Sequence, residues 1–376
     1  MPPRPAAAER RSLFPELGRS TDRTRPFRIA VYLSGHGYGH TVRSGQILER
    51  LSELIPVELE LVTAAPRQLW PKALGPVSNW RSDPCDVGVL QASEMQVDRK
   101  STIASLADWY GDYRDKVSAE ADLLGATVDL VYGDVPPLAF SAAAVAALPS
   151  VAVANFSWDW IYREMGLEVY AEIAAEAYSH CKLLLELDPA APMPAFSVKQ
   201  QPGLLGCRSE LDRAGLASML GVDENCTLVL VSLRDGIENK VGLPPATDGV
   251  VYLASYQLVE RHDFSLIPPS LAHRDVISAC DVVVTKPGCG IIGDCFANST
   301  RMLYAVPSGF PEHRVLSDWL QARPGSLEID PVMLADGTWG DQLQELLAQS
   351  APAVLRADAD RNAAQAIKAL LETGRG

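Results

Sequence analysis

Two histidines four residues apart, His36 and His40, stand in the stretch Gly35-His36-Gly37-Tyr38-Gly39-His40. Imidazole is the side chain whose ordinary titration range suits proton transfer near neutrality, so either ring is a candidate general base. The alternating glycines let the backbone come close to a ligand. Three other readings compete. A metal site is suggested by the four-residue spacing, but Gly37 and Gly39 argue against a helix there and no acid lies between the histidines. A dinucleotide site needs G-x-G-x-x-G and an acid near the end of the second strand. The spacing here is G-x-G-x-G, and the second strand, Val57–Val62, runs out into Thr63-Ala64-Ala65. The plainest reading is a tight turn whose histidines only pack. A ligand-facing loop carrying a histidine base leads, and neither a metal nor a bound cofactor is expected.

The elements around the loop support that reading. The run Ile29-Ala30-Val31-Tyr32-Leu33 before it is apolar enough for a strand buried on both faces. After it, Val42, Ile47, Leu48 and Leu51 recur at helical spacing. Strand, glycine loop and helix in that order place the loop at the mouth of a sheet and put a helix N-terminus, which favours negative charge, behind it. A second acid-bearing loop follows the short strand 129–132, as Gly133-Asp134-Val135-Pro136-Pro137, and Asp134 there is a candidate cleft residue. Farther on, Trp158 and Trp160 flank Asp159, an arrangement that fits either a sugar or acceptor pocket or a core-capping aromatic cluster.

Residues 1–26 are rich in Arg, Pro and Ala and read as a disordered tail. The stretch 66–90 is loop-rich, and 101–124 reads as one long helix whose acids Asp108, Asp112 and Asp115 form a solvated face. Four prolines from Pro189 to Pro202 make the best domain boundary, giving halves at 27–200 and 201–376. The pattern then restarts with strand Thr227–Ser232 and the loop Leu233-Arg234-Asp235-Gly236. Strand Val250–Ala254 follows, then strand 281–285 leading into Lys286-Pro287-Gly288-Cys289-Gly290, and a helix bearing Asp294. The last helix, 352–372, is free to pack back on the first half. Two α/β halves of similar size, each with a glycine loop between a buried strand and a helix, describe two Rossmann-like doubly wound domains facing across a cleft.

Composition narrows the partners. With 376 residues, 47% of them hydrophobic, the chain can bury two cores. A net charge of −14 argues against nucleic acid or an anionic membrane as the main partner. Seven cysteines (85, 181, 207, 226, 280, 289 and 295) are odd in number and lack C-x-x-C pairing, which fits reduced thiols in the cytoplasm. The Asn155, Asn225 and Asn298 glycosylation triplets read as chance, and no apolar run approaches the ~20 residues of a membrane span.

Five blocks, SGHGYGHTVR, GDVPPLA, NFSWDWIY, YSHCKLLLEL and PMPAF, resemble the N-terminal half of plant L-arabinokinases and its free-standing bacterial relatives, a half itself similar to GT-B glycosyltransferases. In the second half, TKPGCGIIGD and RMLYAVPSGFPEHRVL resemble the part that grips a nucleotide sugar in the N-acetylglucosaminyltransferase of peptidoglycan synthesis. That resemblance implies a GT-B fold, with Gly39-His40 on the N-terminal loop and Gly288 and Gly290 on the donor phosphates. It sets Asp294 on the donor ribose and Glu312 and His313 near the sugar. The galactokinase-type ATP domain of arabinokinases has no counterpart here, so sugar kinase activity is not expected. Arg234 stands where a glycine-richer turn belongs in such a transferase, and either meets phosphate through its guanidinium or pairs with Asp235.

The expectation is a metal-independent glycosyltransferase that takes a nucleotide-diphosphate sugar, UDP-linked, and a small or lipid-linked acceptor. Donor contacts fall on Gly288, Gly290, Asp294, Glu312, His313 and Arg234. Acceptor contacts fall on Gly35, Gly37, Gly39, Asp134, Trp158 and Asp159, with His40, or His36, as the base. The alternatives are an epimerase or hydrolase of nucleotide sugars on the same fold and a non-catalytic sugar-nucleotide module.

Overall fold

The computed structural model describes residues 25–70, 77–93, 95–125, 128–233 and 241–374. Most of the expected tail and the Arg234 loop lie outside the described residues. In the first half, β1 (Phe27–Leu33), β2 (Val57–Val62), β3 (Asn79–Arg81), a small hairpin of β4 (Gln91–Ser93) and β5 (Gln96–Val97), β6 (Leu130–Asp134), β7 (Ser150–Ala154), β8 (Leu183–Asp188) and β9 (Lys199–Leu204) follow in chain order. Its helices are α1 (Gly39–Leu54), α2 (Arg99–Gly111), α3 (Tyr113–Leu124), α4 (Pro137–Val145), α5 (Trp158–Glu164) and α6 (Glu168–Ser179). The second half has β10 (Thr227–Ser232), β11 (Val250–Ala254), β12 (Phe264–Leu266), β13 (Val282–Thr285), β14 (Arg301–Ala305) and β15 (Ser326–Ile329). Its helices are α7 (Arg213–Leu220), α8 (His273–Ala279), α9 (Cys289–Asn298), α10 (Glu312–Gln321), α11 (Pro331–Asp336) and α12 (Gly340–Ala348), before a last α13 (Ala359–Gly374).

The strands form two parallel sheets, ordered β3-β2-β1-β6-β7-β8-β9 and β12-β11-β10-β13-β14-β15. Ile29, Val31 and Leu33 of β1 pack on one face, while Ala30 and Tyr32 pack on the other. A strand covered by helices on both sides must be apolar throughout, which is why β1 carries no alternation. The direction of building reverses between β1 and β6 in the first sheet and between β10 and β13 in the second. At such a switch point the loops leave the sheet in opposite directions and open a crevice beyond the strand ends. Both glycine loops start there, one after β1 and one after β13.

Several expected boundaries move. The break at residue 200 falls inside β9, because the proline-rich stretch is a connection between two neighbouring strands of the first sheet rather than a linker. The crossing into the second half comes after Leu204. The C-terminal helix α13 returns to the first half: Ala359, Ala363, Ala364, Ile367 and Leu371 are buried in the core beneath α1, and Arg50 pairs with Asp360 at 2.8 Å. The long helix 101–124 breaks at Asp112 into α2 and α3, and the loop-rich stretch 66–90 contains the edge strand β3. All seven cysteines are free, and among the described residues no helix is long and apolar enough to cross a membrane.

Candidate active site

The first wall is built at the ends of β1 and β6. Leu33 and Asp134 are register partners on those adjacent strands, so the loop after one stands over the carboxylate at the end of the other. Gly37 takes φ of 81°, a left-handed conformation that a side chain resists, and lets the chain turn into α1. Against the expectation that the glycines exclude a helix, α1 begins at Gly39, which puts His40 in its first turn. That terminus has no side-chain cap and no acid in its first turn, so its N–H groups remain for a ligand.

His40 Nδ1 lies 2.8 Å from Asp134 Oδ1. That carboxylate favours a proton on Nδ1, which would leave Nε2 as the acceptor of the ring, and Arg43 Nη2 also stands 3.0 Å from Nδ1. Asp134 is completely buried and takes three further hydrogen bonds: Arg43 Nε donates to Oδ2 at 2.6 Å, Ser44 Oγ donates to Oδ2 at 2.8 Å, and Arg43 Nη2 donates to Oδ1. Burial alone raises such a carboxyl, but the guanidinium and then the imidazole outweigh it and hold Asp134 down to about 2. Arg43 also donates through Nη1 to Asn155 Oδ1 at 2.6 Å, and Asn155 donates in turn to the carbonyls of Leu187 and Pro189. The network thus reaches from α1 across β6 to the ends of β7 and β8.

The second wall is the start of α9. Gly288 is its N-cap residue, again with no side-chain cap and no acid in the first turn. A Cβ on Gly290 would meet open space. Glu312, first residue of α10, accepts a hydrogen bond from Cys289 Sγ at 3.3 Å. Burial raises the Glu312 carboxyl, opposed by Cys289, Arg43, His40 and Lys286. Burial and Lys286 push His313 down to about 4, so it is a neutral ring at physiological pH. Asp294 Oδ1 accepts from the backbone N–H of Cys207 at 2.7 Å, and burial pushes its carboxyl up to about 6.

Between the walls lies a cavity of about 530 Å³. From the first half Gly35, His36, Gly37, Gly39, His40 and Trp158 line it, and from the second Gly288, Gly290, Asp294, Glu312 and His313. His36 packs against Trp158 with ring centroids 6.2 Å apart; burial lowers its titration, opposed by Asp86 and helped by His40. Two expected acceptor residues are not on the wall. Asp134 sits beneath His40 with every hydrogen bond committed to the network. Asp159 is wholly buried, bonded to Ser157 Oγ and 3.6 Å from Arg163, because its place in the first turn of α5 turns it into the protein. Trp160 is also off the wall. Val42, counted in the apolar stripe of α1, is 42% exposed and faces the cavity instead.

Arg43, Ser44 and Asn155 were missed by motif and spacing. The signal for the first two was there: positions 40, 43, 44, 47, 48 and 51 fall on one face of a helix, so a charged Arg43 among Ile47, Leu48 and Leu51 has to find a buried counter-charge. Asn155 carried no signal beyond standing at a strand end.

No family model matches the chain. An L-arabinokinase of Arabidopsis thaliana is 28% identical over an alignment of 335 residues that covers 85% of this chain and 32% of that protein, so the chain spans about a third of the relative's length. Among solved structures, the glycosyltransferase of kitacinnamycin superposes with a TM-score of 0.57 at 15% identity, covering 94% of this chain and 96% of that one. MurG of Acinetobacter baumannii superposes with a TM-score of 0.52 at 12% identity, covering 93% and 100%. The fold is GT-B. Both resemblances read from the sequence blocks, to L-arabinokinase and to the peptidoglycan transferase, therefore recur in the comparisons. At such identities the superpositions carry the GT-B architecture and leave the chemistry to be argued from the cavity.

Proposed function

We propose that this GT-B protein is a glycosyltransferase that moves a sugar from a nucleotide-diphosphate sugar, UDP-linked, to the hydroxyl of a small or lipid-linked acceptor in the cytoplasm. One observation carries the reading: His40, backed by the buried Asp134, and the uncapped N-terminus of α9 line the same cavity from opposite halves. His40 Nε2 takes the proton of the acceptor hydroxyl, whose oxygen attacks the anomeric carbon. The bond from that carbon to the diphosphate breaks, and the nucleoside diphosphate leaves with the electron pair. N–H groups at the start of α9, with Gly290 open to close approach, meet the charge that develops on the leaving oxygens, which supports a transfer that needs no metal. Asp134 holds the ring in the productive tautomer and stabilises the imidazolium, as the buried acid of a catalytic pair does. Asp294 is the donor's ribose acid through the oxygen that Cys207 leaves open. A base acting directly on the acceptor favours inversion at the anomeric carbon.

An epimerase or hydrolase needs acids of its own at the anomeric carbon. Asp134 is committed to the base and Asp159 is buried away, so Glu312 and Asp294 are the candidates left to it, and the transfer reading is better supported.

A thermal-shift panel of nucleotide sugars tests the donor, since a ligand bound only by the folded state stabilises it by mass action. Diphosphate release in a small-molecule extract tests the chemistry. His40→Ala should lower acceptor-dependent release by roughly 10²–10⁴-fold with donor affinity little changed. Release at the wild-type rate by a His36→Ala/His40→Ala double variant would remove the base from the proposal. A panel in which no nucleotide sugar raises the melting temperature would remove the donor.

A further inference from the structure

The segment 82–90, between β3 and β4, passes over the ends of the first sheet beside the histidine loop. Cys85 pins it there. Its thiol donates to the carbonyl of Leu33, the last residue of β1, at 3.0 Å, and lies 3.7 Å from the carbonyl of Val62 at the end of β2. The next residue, Asp86, is only 7% exposed. Its Oδ2 accepts from the indole N–H of Trp158 at 2.8 Å. Among the described residues, its Oδ1 has no hydrogen-bond partner. A buried carboxylate oxygen left unpaired is costly, so the site calls for a donor.

His36 is the ring on which Asp86 acts. It is half-buried on the cavity wall and meets Trp158 edge to face. On its other side is the backbone of Gly88, two residues past Asp86, where a Cβ would lie 2.5 Å from His36 Cδ2. Trp158 in turn stacks on Tyr162, with centroids 5.7 Å apart. Two charged groups act on His36. Burial lowers its titration, Asp86 opposes that and His40 adds to it, so the ring is neutral at physiological pH. Facing Asp86 are Cys85, Tyr110 and Tyr162, all pushed well above their ordinary ranges, first by burial, so they stay protonated and bring no further charge. A neutral imidazole offers one N–H and one acceptor nitrogen.

We infer that Asp86 is a positioning residue for the acceptor: one oxygen holds Trp158, the other takes the N–H of His36 when an acceptor fills the cavity, and the second ring nitrogen of His36 then accepts from an acceptor hydroxyl beside the one that reacts at His40. This inference rests on the transfer reading above. The two acids carry it by their difference. Asp134 has its hydrogen bonds committed, two of them to a guanidinium, and so holds His40 while that ring gains and loses a proton. Asp86 meets no guanidinium and keeps an oxygen free, which suits a ring that stays neutral and only orients. One loop thus carries a histidine that moves the proton and a histidine that grips. The acceptor class this favours is a polyol, with a hydroxyl next to the reacting one.

Asp86→Asn keeps an oxygen for the Trp158 N–H and removes the charge. The His36 ring, followed by nuclear magnetic resonance and assigned by its loss in His36→Gln, should then titrate at least about half a pH unit lower than in the wild type. In diphosphate release with a small-molecule extract, Asp86→Asn and His36→Gln should each raise the extract concentration for half-maximal release by about tenfold, with a smaller fall in the maximal rate. The double variant should be no worse than the worse single one, since both changes break one unit. A His36 ring that titrates alike in wild type and folded Asp86→Asn, a maximal rate that falls while the half-saturating concentration stays put, or losses that multiply in the double variant would each overturn the positioning role. If Asp86→Asn does not fold, His36→Gln decides, and an unmoved half-saturating concentration overturns it. No release by the wild type in any extract would remove the transfer reading and the acceptor role together, while the titration still decides whether Asp86 acts on His36.

Discussion

Arg43 and His40 share one carboxylate: Oδ1 of Asp134 stands 2.8 Å from the His40 ring nitrogen and also accepts from the Arg43 guanidinium. The charge of the Asp134 carboxylate, proposed to orient His40 as a base, is therefore neutralised in advance by a fixed cation. Removing the acid strands that cation in the interior. Asp134→Asn should destabilise the protein by about 3–5 kcal/mol, the range for breaking a buried pair from one side, and should lower turnover as well. Adding Arg43→Met should recover much of the lost stability and none of the turnover. Denaturant unfolding of the two single variants and the double variant measures this coupling. Additive losses would show that the pair does not act as a unit.

The raised Asp294 carboxyl gives a pH signature. Its folded value of about 6 stands above the ordinary 3.8, so its favourable contribution is complete below pH 3.8 and is lost as pH rises through 6. A carboxyl raised that far accounts for about 2–3 kcal/mol, with the lower end expected for a partly exposed group. Asp294→Asn keeps an oxygen for Cys207 N–H and removes the titration. Relative to the variant, the wild type should thus lose about 2 kcal/mol between pH 4 and pH 7. His313, held near 4, slopes the other way, gaining stability as pH rises from 4 to 6.5, but it is present in both proteins and cancels in the difference. Parallel stability curves for the two proteins would show that Asp294 does not titrate above the ordinary carboxylate range.

Much of the architecture was legible because buried parallel strands leave an unmistakable apolar run. Strands such as Thr227–Ser232 and Val250–Ala254 stand where their composition puts them. The glycine loops were legible too, since a chain that turns sharply at a strand end needs residues like Gly37. What spacing could not carry was long-range pairing. Nothing local says that Asp134 belongs under His40, because their meeting depends on β1 and β6 being neighbours across a switch point. Nor does anything local distinguish Asp159, turned inward by the first turn of α5, from an acid on a cleft wall. Proline density misplaced the boundary because prolines mark any irregular connection, including the one between β8 and β9.

The return of α13 to the first half has a consequence for truncation. Ending the chain at Arg356 would uncover the surface of α1 that Ala359, Ala363, Ala364, Ile367 and Leu371 bury. Ile367 and Leu371 alone contribute about 3–6 kcal/mol by burial. A chain shortened in this way should be insoluble or melt at least about 10 °C lower, and the fragment 200–376 should likewise aggregate, having lost the sheet that α13 covers. A shortened chain with an unchanged melting temperature would mean that α13 is not docked in solution.

Gly290 and Gly293 lie three residues apart in the same helix and should respond to alanine in opposite ways. At Gly293 a Cβ would sit 1.8 Å from the Leu205 carbonyl oxygen and 2.8 Å from its carbon. Backbone cannot step aside as a flexible side chain can, so Gly293→Ala has to push α9 away from the crossing strand. A loss of several kcal/mol is expected, above the ~1–3 kcal/mol usual for overpacking. At Gly290 a Cβ meets nothing within 4 Å, and alanine is the better helix former by about 1 kcal/mol. Gly290→Ala should therefore melt no lower than wild type. It lines the cavity at an uncapped helix start, however, and a methyl there would hold a diphosphate away from the N–H groups. The variant should bind nucleotide sugars at least about tenfold more weakly, a difference of ~1.4 kcal/mol by calorimetry. Unchanged affinity in a stable Gly290→Ala protein would move the donor phosphates off α9. The stability of Gly293→Ala reports only on packing, so the two results separate the role of this helix in holding the halves together from its role in holding a ligand.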